Sequence, residues 1–463
     1  MSLLIVSLDV SIVNVALPSI QRGLHASVSG LQWTIDGYTL VLAVLLLLSG
    51  SVADRFGRRR VFQLGLVLFT LGSLLCSVAP SLGWLVVFRM AQAVGGSMLN
   101  PVAMSIIVNT FHDPTERARA IGVWGGVVGI SLALGPVLGG VLVSGFGWRS
   151  IFWINAPIGL AALMLTHLFV AESRAARPRR FDPGAQALIV VLLGSLIFAL
   201  IEGPNRGWAS PLILGLFLLT VLATSGLITL EFHRRDPLID PRFFRSVPFS
   251  GANGLALATF AALGGFLFVN ALYLQNVRGY PPLQAGLLTL PLAVMAGALA
   301  PLSGRLVAAR GPRLPLLIAG PAMAAGALSL IGLTPDTPLW RLIGAYLLIG
   351  AGFGLAGAPI STTAMSGMPR AQAGVAGAVA STSRQVGASL GVAVIGSLVA
   401  HSLGAGFTTA SHAAWAVIAG CGLLMLILGI ISTGRWASGT AARARQLLDP
   451  EEVNDEHSLS HAS

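Results

Sequence analysis

Four side chains in this sequence stand where charge is costly. Asp9 lies inside LIVSLDVSIVNVALPSI, a run that is otherwise mostly apolar. Asp36 lies in LQWTIDGYTL, Arg89 in VVFRMAQAVGGSM and Arg384 in ASTSRQVGASLG. An acid at the centre of a bilayer costs roughly 2.5–3.5 kcal/mol even on lenient scales. It lowers that cost by taking a proton, so it can collect a proton from one face of a membrane and release it to the other. The alternatives for Asp9 are a structural pairing with polar neighbours, or a place at the edge of its span. Arg89 cannot give up its proton. It is a fixed positive charge that could tune or relay for a nearby carboxylate, and Asp9 is the natural partner; the alternative is a clamp between helices. Gln92, Gly96 and Asn100 follow Arg89 at +3, +7 and +11, so on a helix all four share one face. A polar stripe on an apolar span turns to the bundle interior. Asp36 reads equally as a contact on the proton or substrate path and as a solvated helix-end acid. Glu202, in IEGPNRGW, reads as structural.

The later part of the chain is poor in acids: Asp336 reads as a loop residue, and Arg384 is the strongly charged residue of its span. Gly377, Ser381, Arg384 and Gly391 share a helix face. Together with Asn14, Gln92, Gly96 and Asn100, Ser381 and Arg384 are the candidate lining of a substrate cavity. Few carboxylates speak against a multivalent-cation site; lipophilic monocations and neutral compounds suit apolar walls.

The elements that must position these residues are membrane spans. Of 463 residues, 55% are hydrophobic and 10% charged, with a mean hydropathy of +0.82. Soluble domains carry about 25% charge. Apolar runs of about 20 residues, enough to cross a bilayer core, recur along the chain. Backbone groups in lipid must be satisfied internally, so the runs are expected as helices, and they lack the alternation of a barrel. The expected spans are 1–20, 31–53, 61–79, 84–110, 118–144, 150–171, 185–202, 211–231, 248–276, 283–309, 314–333, 338–363, 371–400 and 412–434, about fourteen in all. A secretory leader is the disfavoured reading of the first run: no basic leader precedes it, Asp9 and Asn14 interrupt it, and no small-residue cleavage site follows.

There is no lysine, so all 28 basic residues are Arg. About 21 fall in alternate loops, about five in the opposite loops and two within spans. The rich loops include DRFGRRR, HDPTERARA, ESRAARPRR and EFHRRDPLIDPRFFRS. The positive-inside rule makes these cytoplasmic, with both termini, in a multi-pass protein of the cell membrane. The net charge of +11 then marks topology and anionic lipid heads rather than nucleic acid. Trp33, Trp84, Trp148, Trp208 and Trp340 fall near predicted outer ends. Cys76 and Cys421 lie in apolar spans and read as small hydrophobes. A chain without lysine has no P-loop lysine, so no nucleotide is expected. GFGLAG (352–357) and GASLG (387–391) match short motifs but sit in expected spans, without the strand each requires. No cofactor, metal or enzyme constellation is expected.

GSVADRFGRR (50–59) and GRLVAARGPR (304–313) align with a shift of 254, Gly50 on Gly304 and Gly57 on Gly311. The chain then divides into a six-helix bundle at 1–172, a two-helix insert at 173–247, a six-helix bundle at 248–436 and a disordered cytoplasmic tail at 437–463. Parallel repeats of this kind place a cavity between the halves at mid-membrane.

These stretches resemble motifs of the major facilitator superfamily, and within it the fourteen-span drug:proton antiporters. LDVSIVNVALPSI is similar to the first-span motif, GSVADRFGRRR to the loop between spans two and three, VVFRMAQAVGGSM to the span-four motif and GISLALGPVLGGVL to the antiporter motif of span five. WRSIFWINAPIG and GAPISTTAMSGMPRAQAGVAGAVASTSRQVGASLGVAV are similar to stretches of the fourteen-span branch. The resemblance implies a two-bundle fold with two extra helices. It implies proton coupling at Asp9, Arg89 and Asp36, an inner gate at Gly50, Asp54, Arg55, Gly57 and Arg58, and a tight contact at Gly129, Gly135, Pro136, Gly139 and Gly140. Mere packing is the plain alternative for the last set, and topology signalling for the loop arginines. Ala308 stands where the first loop has Asp54, which weakens the second loop's charge relay. The expected function is export of hydrophobic or cationic drugs in exchange for protons by alternating access. The alternatives are export of one endogenous metabolite or antibiotic, proton-coupled import, and a receptor or scaffold on a transporter fold. The expected partners are protons, a small molecule and membrane lipids.

Overall fold

The computed structural model describes all residues except 112, 175–181, 235–238, 370–371, 401–405 and 449–463. Sixteen α-helices are present among the described residues. The first seven are α1 (Ser2–Leu24), α2 (Val28–Phe56), α3 (Arg58–Ser77), α4 (Leu82–Thr110), α5 (Pro114–Phe146), α6 (Ser150–Trp153) and α7 (Asn155–Phe169). Then come α8 (Pro183–Arg206) and α9 (Pro211–His233). The rest are α10 (Val247–Leu272), α11 (Pro282–Arg310), α12 (Arg313–Ser329), α13 (Leu339–Met365), α14 (Ala373–Val399), α15 (Phe407–Ser432) and α16 (Arg435–Leu448). Local chemistry sets the ends. Ser27 caps α2 through Gly30 N, Asp182 caps α8 through Gly184 N and Ala185 N, and Ser246 caps α10 through Phe249 N. Pro183, Pro211 and Pro248 stand in first turns, where a missing N–H costs nothing.

Among the described residues, twelve helical segments are long and apolar enough to span a membrane. The expected fourteen is reached only by adding α12, apolar but 17 residues long, and α14, whose middle carries the polar run Ser381–Gln385. The expected sixth span is broken at Ile154 into α6 and α7.

Helices α1–α7 pack among themselves, as do α10–α15. Two seams join the groups, α5 against α11 and α2 against α14. Helix α8 lies along the second seam, touching both α2 and α14, and α9 packs on α8. Leu214, Leu218 and Val221 of α9 are exposed, the pattern of a helix facing lipid. Further contacts between the groups include Gln32 of α2 with the Val392 and Ala393 carbonyls of α14, and, from the turn Tyr273–Val277 after α10 to α1, Gln275 with the Val15 carbonyl and Asn276 with Gln21. Each of these lies toward the end of the bundle that holds the C-terminus of α1.

The two aligned glycines behave alike. Gly57 ends α2 and Gly311 ends α11, at φ +112° and +77°, and their N–H groups bond Ala53 O and Val307 O. A C-cap at positive φ is where glycine, without a Cβ, is needed. The tail differs from expectation: Arg435–Leu448 is helical, with Ala437, Ala441 and Ala444 buried and Thr440 Oγ1 accepting from Val247 N. Small residues at helical spacing let α16 lie on α10; residues 449–463 lie outside the described set. Trp84, Trp208 and Trp340 are exposed, but Trp148 is buried over Gly23 and Trp33 donates to Glu202 Oε1 at 3.0 Å. Cys76 and Cys421 are free thiols.

Candidate functional site

Asp9 and Arg89 meet. Helices α1 and α4 bring Arg89 Nη1 within 2.5 Å of Asp9 Oδ2, with both side chains 1% exposed. The other carboxylate oxygen, Oδ1, accepts from Gln92 Nε2 at 2.9 Å and from Asn155 Nδ2 at 2.8 Å. Gln92 returns its Oε1 to Arg89 Nη1 at 2.8 Å, and Arg89 Nε donates to Thr34 O at 3.3 Å. The guanidinium lies over the Tyr38 ring, 4.0 Å from its centroid, and Asn155 also donates to Ser73 Oγ at 3.0 Å. Two opposite charges held by this many fixed donors form a closed unit. Removing one partner of such a pair costs about 3–5 kcal/mol, because it strands a buried charge. Here the unit is sealed among α1, α2, α3, α4 and α7 rather than facing an open vestibule.

Asp36 is apart from it. Thr34 and Tyr38 face Arg89, and a residue two steps from each sits on the far side of α2. Asp36 is fully buried there; Oδ1 accepts from Ser389 Oγ of α14 at 2.9 Å, and Oδ2 has no partner among the described residues. The three residues expected to couple protons thus form one pair and one separate acid at the α2–α14 seam.

The expected cavity residues also divide. Gln92 belongs to the Asp9 unit. Gly96 is buried, and a Cβ there would stand 3.1 Å from Tyr38 Oη, so it is a slot for that ring. Asn100 is half-buried, and its Oδ1 has no partner among the described residues. Asn14 donates to Val10 O, and its Oδ1 has no partner among the described residues. It lines a cavity of about 20 Å³ between α1, α5, α10 and α11, with Ser11, Asn270, Gln275 and Thr289. That is room for about one water. Ser381 and Arg384 are half-buried on α14, and Arg384 Nη2 donates to Ser361 Oγ at 2.7 Å.

At the α2–α3 loop, Arg58 donates twice to Asp54 Oδ1, at 2.9 and 3.2 Å. The loop's anchor is Glu172, whose carboxylate accepts from Arg59 N and Arg60 N at 3.1 and 3.2 Å. A carboxylate on a helix N-terminus satisfies orphan N–H groups and the dipole together. Gly57 makes room for it: a Cβ there would stand 2.7 Å from the Glu172 carboxyl. Gly50 has open space beside it, and Arg55 is exposed.

The α5 glycines face two ways. A Cβ on Gly135 would strike Ser11 Oγ, and one on Gly139 would stand 3.2 Å from Ile12 O, both on α1. A Cβ on Gly140 would stand 2.6 Å from Leu283 Cα on α11, and Gly286 of α11 abuts the Pro136 carbonyl. Gly129 faces Gly297. So α5 is wedged between the helix carrying Asp9 and the second group of helices. Sequence reasoning did not single out Asn155, Thr34, Tyr38, Gln32 or Glu172. Asn155 stood inside the quoted WINAPIG stretch, and a polar amide in an apolar span was the available signal.

A family profile described as the Major Facilitator Superfamily matches residues 1–392. The chain belongs to the major facilitator superfamily. It is a membrane transporter of that family. It is 38% identical over 405 residues to the multidrug resistance protein Stp of Mycobacterium tuberculosis, covering 88% of this chain and 75% of that one. It is 39% identical over 410 residues to the tetracenomycin C resistance and export protein of Streptomyces glaucescens, covering 87% and 74%. The methylenomycin A resistance protein of Streptomyces coelicolor is 35% identical over 400 residues, covering 86% and 83%. In fold, the chain matches a bacterial homolog of the human lysosomal transporter Spinster in an inward-facing, unoccupied conformation. That match has a TM-score of 0.61 at 19% identity and covers 96% of each chain.

Proposed function

We propose that this transporter exports hydrophobic or cationic compounds from the cytoplasm in exchange for protons. The observation that carries this is the buried Asp9–Arg89 pair, with Gln92 and Asn155 completing the carboxylate's hydrogen bonds; because this arrangement keeps water from the carboxylate, coupling requires a second arrangement of the helices in which Asp9 meets water. A proton taken by Asp9 cancels its attraction to Arg89, and the unit loses what holds it closed. Helix α1 carries the change: Asp9 faces α4, while Ser11, Asn14 and Val15 face α5 and the second group of helices. The protonation state of one acid therefore biases the packing at the α5–α11 seam.

In this reading residues 1–172 and 248–436 are two halves that rock about a central cleft, with 173–247 as an insert against the α2–α14 seam. The seam contacts of Gln32, Gln275 and Asn276 close one end, and the arginine-rich loops mark the other as cytoplasmic. Drug export is supported by the resistance and export functions in the relatives' names. The driving force is the proton gradient, about 1.36 kcal/mol per pH unit and about 2.3 kcal/mol per charge per 100 mV. Purified protein in liposomes, with a pH dye inside, tests this. Addition of a lipophilic drug should release protons from a gradient-loaded vesicle; a drug flux with no proton flux would end the antiport reading. A narrower reading, export of a single antibiotic, is favoured by relatives named for one compound each. A panel of lipophilic compounds separates the two.

A further inference from the structure

Arg384 is the charged residue of α14, and its surroundings leave it available. Around α14, Gly387 and Gly391 press on α10, with Leu257 O and Ala261 O in their Cβ paths. Ser389 and Gly396 meet Asp36 and Gln32 of α2, and Leu390 and Ala393 pack with Ile197 of α8. At about 100° per residue, Gly377, Ser381 and Arg384 fall within about 60° of one another on the remaining arc, turned toward α13. A Cβ on Gly377 would meet nothing within 4 Å, and neither would one on Gly357, one turn from Ser361. So the helix faces beside the Arg384–Ser361 contact are open at Gly377 on α14 and at Gly357 on α13.

One guanidinium donor is taken by Ser361 Oγ, and no carboxylate pairs with Arg384 among the described residues. A guanidinium has five N–H donors in a planar fork, matched to an oxyanion. Of the acids within the spans, Asp9 is paired with Arg89 and Glu202 with Trp33 and Arg206, while Asp36 accepts from Ser389 and faces α14 from the α2 side, away from the face that carries Arg384. On the α14 face turned to α13 the charge available to a ligand is that of Arg384.

We infer that Arg384, positioned by Ser361, is an anion-binding subsite of the substrate cleft. The exported compounds then include amphiphiles bearing an ionised carboxylate or an equally acidic enol or phenol, alongside those already proposed. This rests on the export reading for its physiological meaning, but binding tests it separately. Fluorescein, anionic, and rhodamine 123, cationic and esterified, share a xanthene skeleton. Their affinities for the purified protein in detergent, without any gradient, are measured by equilibrium dialysis for wild type, Arg384→Gln, Arg384→Lys and Ser361→Ala.

Wild type should bind fluorescein. Arg384→Gln should lower the ratio of fluorescein to rhodamine affinity about ten-fold or more, as expected for losing a charge-assisted hydrogen bond. Arg384→Lys should recover part of the ratio, and Ser361→Ala should lower it a few-fold. Failure of wild type to bind fluorescein overturns the subsite, as does an unchanged ratio in Arg384→Gln while Arg384→Lys keeps the wild-type ratio. If fluorescein binds in an Arg384-dependent way yet is not moved by a pH gradient in liposomes, the subsite stands and the export reading falls.

Discussion

At the level of single residues, the Asp9 carboxylate is held by three side-chain donors. Asn155→Ala removes one donor from Asp9 and should lower the melting midpoint in detergent, at a cost of about 1–3 kcal/mol for the unsatisfied group. Arg89→Ala strands the carboxylate and should cost more, about 3–5 kcal/mol, unless Asp9 is neutralised by Asn in the same chain. The double variant Asp9→Asn/Arg89→Ala is thus expected to melt above the single Arg89→Ala variant; differential scanning fluorimetry gives the order. Asp9 and Arg89 were legible in the sequence because a charge in an apolar run is expensive, and the helical +3 spacing put Gln92 beside Arg89. Asn155 was not, because an amide carries no such cost flag and its reach to Asp9 depends on the break between α6 and α7. The separation of Asp36 from the pair depends on which face α2 turns to α4, and the sequence does not state that.

At the scale of helices, glycine decides where elements touch. Gly286→Ala would drive a methyl into the Pro136 carbonyl, a backbone atom that cannot swing aside. Overpacking of this kind costs about 1–3 kcal/mol. It is expected to cut export sharply while leaving the protein folded by size-exclusion, since the strain falls on the α5–α11 seam. Gly57→Ala combines a φ of +112° with a clash on Glu172 and should loosen the α2–α3 loop, seen as faster proteolysis at DRFGRRR. The glycines of α5 were visible in the sequence, but that they serve two different neighbours was not. Helix α16 shows the converse: alanines 437, 441 and 444 at helical spacing were in plain view, and the polar composition around them concealed the helix.

At the scale of the whole molecule, the all-helical fold and its two groups of helices followed from composition, from hydropathy and from the Gly57–Gly311 repeat. The count of spans did not follow as cleanly, because α12 is short and α14 is polar where it bears Arg384. Alternating access requires the contact between Asn276 and Gln21 to open and close. Cysteines at those two positions, in a chain with Cys76 and Cys421 replaced by Ala, should cross-link with a short bifunctional thiol reagent. The cross-link should stop export, and its reduction should restore it.

The most direct test of proton coupling compares wild type with Asp9→Asn in liposomes, measuring uptake of a lipophilic dye against its gradient when a pH difference is imposed. Wild type should accumulate dye, and Asp9→Asn should lose accumulation yet still exchange dye down its own gradient. Undiminished accumulation by Asp9→Asn would contradict coupling at Asp9.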